Sequence, residues 1–155
     1  MRRLILCLVA ACVVGVPTGS VAFAKSDVGV MCVLHAKLAA KNETTGSIST
    51  AKGHTLIKVR NDGTIEFKTH INNKKRETFI AGHIHQGAVG VAGSIVVPLF
   101  VAPTPSTSAR NIKQSGVATP NAGTTGAALC LNPSAYYVNY HTTAFPGGAI
   151  RGQLR

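Results

Sequence analysis

The residues best placed to do chemistry in this chain are histidines. Gly82-His83-Ile84-His85-Gln86-Gly87 sets two imidazoles two residues apart. In a β-strand such residues share a face. A third imidazole, His141, ends the strand-like run Tyr136-Tyr137-Val138-Asn139-Tyr140-His141. Imidazole suits copper and zinc, and three histidines with one open position can hold either ion. His83, His85 and His141 are therefore the expected metal ligands, with copper the first choice and zinc the alternative. The competing reading is structural, with ring N–H groups bonded to backbone carbonyls. His35, His54 and His70 sit in other strand-like segments; each reads first as an ordinary surface or edge histidine, with a fourth ligand as the alternative. His70 leads them, because its strand is expected to pair with Thr78–His85 across the Asn72-Asn73 turn.

Other chemistries find little support. The acidic inventory is Asp27, Glu43, Asp62, Glu66 and Glu77, too dispersed for a paired-carboxylate glycosidase. No serine sits in a nucleophile elbow, so no catalytic residues are assigned. Arg151, between Ile150 and Gly152, reads as a five-donor fork that ties loops together, with an anion contact as the alternative. The three tyrosines read as packing residues. Asn42-Glu43-Thr44 fits the glycosylation acceptor pattern.

The elements that must position the histidines are short and alternating. Val30 to Ala39 reads as a first strand. Thr55 to Val59 is turned back by Asn61-Asp62-Gly63 into Ile65, Phe67, Thr69 and Ile71. Thr78 to His85 carries the histidine pair, and Ile95 to Phe100 reads as a strand buried on both faces or at an inner position. Residues 102–125 are rich in Pro, Thr, Ser, Ala, Gly and Asn and read as one long polar loop. Order resumes at Leu129 to Leu131, then Tyr136 to His141 and Ala149 to Leu154 form strands about the Pro146-Gly147-Gly148 turn. No crossover helix is evident, so the expected fold is all-β: an antiparallel Greek-key sandwich or barrel.

The first residues shape the expected destination. Met1-Arg2-Arg3, the apolar stretch from Leu4 to Val16 and Val21-Ala22-Phe23-Ala24 read as a signal peptide over 1–24, cleaved after Ala24. Its apolar run falls short of the roughly 20 residues of a spanning helix. A lipobox ending at Cys12 is the alternative. Residues 25–155 then form a single secreted or periplasmic domain. Its two cysteines, Cys32 and Cys130, are expected to pair, worth about 4–5 kcal/mol by loop entropy; two separate buried thiols are the alternative. Loss of Arg2 and Arg3 takes the formal charge from +11 to +9. Such a balance favours anionic partners such as acidic cell-surface polymers. The basic residues lack interleaved aromatics, so a nucleic-acid platform is poorly supported. Lys74-Lys75-Arg76 reads as a solvated hairpin tip.

The chain resembles the chordin-type (CHRD) domain. The resemblance rests on Leu38, Glu43, Gly53, His83-Ile84-His85, Ile95-Val96-Val97, Tyr137-Val138-Asn139-Tyr140-His141-Thr142 and Gly148-Ala149-Ile150-Arg151-Gly152-Gln153-Leu154. Gln86 stands where the family tends to have Gly before Pro, and Ala149 replaces the usual Glu. The family is similar in fold to Cu/Zn superoxide dismutase, an eight-stranded sandwich of the immunoglobulin-like kind. Gly82, His83, His85 and His141, ahead of Gly147-Gly148, match that enzyme's copper histidines; its bridging histidine and zinc aspartate have no counterpart here. The resemblance implies a binding or structural module that holds copper or zinc. Two alternatives stand beside it: a copper-dependent oxidoreductase of the dismutase kind, and an adhesion module for anionic cell-surface polymers.

Overall fold

Alternation of inward apolar and outward polar residues shapes the strands. The computed structural model describes residues 29–101 and 107–155; the expected leader, with Ala24 and Cys12, lies outside them. Strand β1 (Val30–Ala39) buries Leu34, Ala36 and Leu38 and turns Val33, His35 and Lys37 outward. β2 (Lys52–Arg60) buries Thr55, Ile57 and Val59, and β3 (Ile65–Asn72) buries Ile65, Phe67, Thr69 and Ile71. Five more strands close on the same core: β4 (Phe79–Gln86), β5 (Ile95–Val101), β6 (Asn111–Ala118), β7 (Tyr136–Thr142) and β8 (Ile150–Gln153). All pairings are antiparallel, in the order β5-β4-β7-β8-β1-β2-β3-β6. The two ends of this sheet approach each other, so the barrel is nearly closed. After β6, Asn121 donates from its backbone to Val96 O (2.8 Å) and from its side chain to Ile95 O (3.2 Å), tying the seam. The expected all-β antiparallel architecture is the one that forms.

A polar bridge crosses the interior. The hydroxyls of Thr55 and Thr69 lie 2.8 Å apart, and Tyr140 Oη donates to Thr69 Oγ1 at 2.9 Å. Burial pushes the Tyr140 phenol up to about 12, so it stays a donor. The Tyr140 ring lies over Gly82, where a Cβ would come within 2.5 Å of Cε1. Only glycine admits the tyrosine there.

Three expectations need correction. β3 and β4 do not form a hairpin: β3 pairs with β2 and β6, while β4 pairs with β5 and β7. Asn73 redirects the chain instead. It is fully buried, donates to Glu77 O (2.8 Å) and Ala109 O (3.1 Å), and accepts from Glu77 N (2.9 Å). Residues 102–125 are not one loop, because Asn111–Ala118 within them is β6, beside β3. Of β6 only Ile112 and Ala118 are buried, too thin an apolar pattern to read as a strand. β5 is neither buried on both faces nor at an inner position. Val96, Val97 and Leu99 face in, while Pro98 faces out on an edge strand with register shifts, a position proline tolerates. A short helix, α1 (Gly126–Leu131), capped by the Thr125 side chain, brings Cys130 to Cys32 at disulfide distance, Cα to Cα 5.9 Å.

Candidate metal centre

The β4–β7 ladder assembles the site. His83 stands opposite Asn139, His85 opposite Tyr137, and Ala81 opposite His141. Gly82 and Ile84 of β4 and Val138 and Tyr140 of β7 are buried on the core side. The three histidines therefore share the outer face of the sheet, as the two-residue periodicity requires. One potential ligand nitrogen from each imidazole can be chosen so that all lie within 4.8 Å of one another. Ring centroids are 5.0 Å apart for His83 and His141, 5.6 Å for His83 and His85, and 5.8 Å for His85 and His141.

Backbone carbonyls orient two of the rings. His85 Nδ1 lies 2.9 Å from Gly93 O, and His141 Nδ1 lies 2.9 Å from Pro146 O. A carbonyl only accepts, so each Nδ1 carries the proton and each Nε2 keeps its lone pair. That is the arrangement in which a second-shell carbonyl prepares a histidine for a metal. His141 Nε2 faces His83 Nδ1 at 3.1 Å. His85 Nε2 is buried without a partner, an uncommon cost for a native polar atom. Burial is also the main cause that lowers all three pKa values. His83 is brought down to about 4, with the neighbouring His141 and His85 adding to the effect; His85 and His141 are lowered as well. Three neutral imidazoles, two with fixed tautomers and one with an idle buried lone pair, suit a metal ion.

A supporting shell closes around them. Arg151, only 2 % exposed, donates to Val91 O (2.9 Å) and Ala88 O (2.7 Å) of the β4–β5 loop. Its guanidinium carbon sits 3.4 Å from the Tyr137 ring centroid, and His85 stacks on the same tyrosine at 5.0 Å. The loop-tying reading of Arg151 is what the geometry gives. Gly93 N donates to Tyr137 Oη at 3.1 Å while Gly93 O holds His85. A Cβ at Gly93 would collide with the carbonyl of Gln86. Beside Arg151 lies Glu43, whose carboxyl burial pushes up to about 7 against the pull of the guanidinium.

His70 does not join the trio. On β3 it faces His54 of β2, ring centroids 5.6 Å apart, in a groove that His35 also lines. It fails as a fourth ligand because β3 never pairs with β4. The Asn42 amide donates to Arg151 O at 2.9 Å, so the acceptor pattern there is engaged in structure. Sequence reasoning missed Gly93, Glu43 and the site role of Tyr137. Glu43 carried a family-pattern signal; Gly93, one glycine among 16, carried none. Among the described residues no helix is long and apolar enough to cross a membrane.

The family model for the CHRD domain matches residues 34–154, a span that holds all three histidines and Arg151. No curated protein and no solved structure matches the chain.

Proposed function

Because the chain belongs to the CHRD domain family, we propose that it is an exported binding module whose His83, His85 and His141 hold one copper ion, with zinc the alternative occupant. The observation that carries this reading is the buried, partnerless Nε2 of His85 beside two further neutral imidazoles. An all-imidazole set lacks the thiolates of a structural zinc site, and among divalent ions affinity peaks at copper. The cysteine pair at disulfide distance fits an oxidising compartment.

The test is elemental analysis of residues 25–155 after exposure to copper and zinc and desalting. One tightly held ion per chain is expected, lost in His141→Ala and in the His83→Ala, His85→Ala double variant. Retention by the double variant equal to the parent refutes the site. A second reading draws on the half-buried state of His83, which leaves the trio open to a small molecule from solvent. It is a copper-dependent oxidoreductase, and superoxide turnover by the copper-loaded chain far above that of the metal-free chain is its expected signature.

A further inference from the structure

A second surface, on the other half of the barrel, carries an ordered set of cations. The register places Lys37 of β1 opposite His54 of β2, His54 opposite His70 of β3, and His70 opposite Lys113 of β6. These four residues form one straight row across four strands, all on the outer face, since the residues flanking each of them are mostly buried. At about 4.8 Å per strand the row spans about 14 Å, with a lysine at each end. The adjacent row runs His35, Leu56, Lys68, Ser115. All of these residues except Lys37 line a shallow groove of about 560 Å³. Lys37 lines a second groove, of about 840 Å³, together with His54, Lys41, Lys52 and Arg155. The two grooves therefore share a wall.

Negative charge is scarce along this path. The first groove has no carboxylate among its lining residues. Glu66, on the same face of β3, is ion-paired with Arg60. In the second groove the one acidic side chain is Glu43, which burial pushes toward the neutral form. Lysines at the two ends of the row and Lys68 in the adjacent row, over a floor of imidazoles and Leu56, suit an extended chain bearing several anionic groups. Neither groove is lined by Phe, Tyr or Trp, so the stacking platform that single-stranded nucleic acids use is missing.

We propose that the outer face of β1, β2, β3 and β6 is a docking surface for a linear acidic polysaccharide, laid across the strands along the Lys37–His54–His70–Lys113 row. Charge complementarity carries the assignment, and the compartment implied by the cysteine pair is one where acidic glycans are the common polyanions. The surface works without the histidine trio of β4 and β7, so the two readings stand or fall separately.

The test uses residues 25–155 without added metal and a size-defined heparin oligosaccharide as probe, titrated at physiological ionic strength. Lys37→Gln with Lys113→Gln removes both ends of the row. Lys74→Gln with Lys75→Gln removes the same charge from the exposed β3–β4 turn. Unfolding midpoints check that both variants are folded. The row variant is expected to bind at least tenfold more weakly than the parent, and the turn variant within twofold of it. A single-stranded oligonucleotide and anionic phospholipid vesicles are expected to bind at least tenfold more weakly than the glycan. Three results would overturn the assignment: no glycan binding by the parent, equal losses in the two variants, or nucleic acid or vesicles bound as tightly as the glycan.

Discussion

Burial of three neutral histidines must make the metal-free fold sensitive to acid, and the size of the effect follows from the site. His83 has an ordinary value of 6.5 and is lowered to about 4 in the folded chain, chiefly by burial. Between those values the unfolded chain binds a proton that the folded chain refuses. Stability therefore falls as pH drops from 6.5 toward 4 and levels off below. At face value the gap corresponds to about 3.4 kcal/mol, at 1.36 kcal/mol per pH unit. His83 is half-buried, and solvent screening reduces this to about 1–2 kcal/mol. His85 and His141 are lowered too and act in the same direction.

Glu43 opposes them. Its carboxyl rises from 4.5 to about 7, so in that window the folded chain holds a proton that the unfolded chain releases, and stability rises as pH falls. The histidine effect is isolated in a Glu43→Gln background, read by urea unfolding in a chelating buffer at pH 7, 5.5 and 4. Stability is expected to fall monotonically by at least about 1 kcal/mol. Adding His83→Gln should remove much of that slope. A Glu43→Gln protein whose stability is flat or rises from pH 6.5 to 4 would refute the reasoning, because histidines kept neutral by burial cannot give that result.

Two further outcomes follow from the shell around the site. Gly93→Ala should disturb both the Gly93 O bond to His85 and the Gly93 N bond to Tyr137, since its Cβ has no room beside Gln86. A 10–100-fold loss of metal affinity is the usual cost of such a second-shell change, measured by competition with a chromogenic chelator, and affinity within twofold of the parent would count against it. Replacing Cys32 and Cys130 with serine opens a link across a sequence separation of 98. A loss of about 2–5 kcal/mol by urea unfolding is expected, and unchanged stability would mean that the two thiols do not bond in solution.

The histidine pair was legible because a strand has a period of two, and Gly82-His83-Ile84-His85 fixes both imidazoles on one face whatever the tertiary fold. His141 was legible at one remove, as the end of an aromatic strand whose family pattern it shares. The fourth ligand was misjudged for a topological reason. Asn72 and Asn73 look like a hairpin turn, but Asn73 is buried and holds Glu77 and Ala109, which sends β4 to the other half of the barrel. β6 was hidden because an edge strand that buries only Ile112 and Ala118 needs little apolar sequence when β3 supplies the ladder.

Those two misjudgements have a common consequence. A β3–β4 hairpin would have drawn His70 toward His83, and a polar loop in place of β6 would have left Lys113 without a register. With β3 paired instead to β2 and β6, His70 stands between His54 and Lys113. The outward-facing polar residues of one barrel then fall into two chemically distinct faces. The face of β4 and β7 gathers three neutral imidazoles beside the loop that Arg151 holds, where burial disfavours their protonation. The face of β1, β2, β3 and β6 leaves Lys37, His54, Lys68 and Lys113 exposed to solvent. Strand order, which no local pattern encodes, is what sorts the six histidines into these two kinds of chemistry.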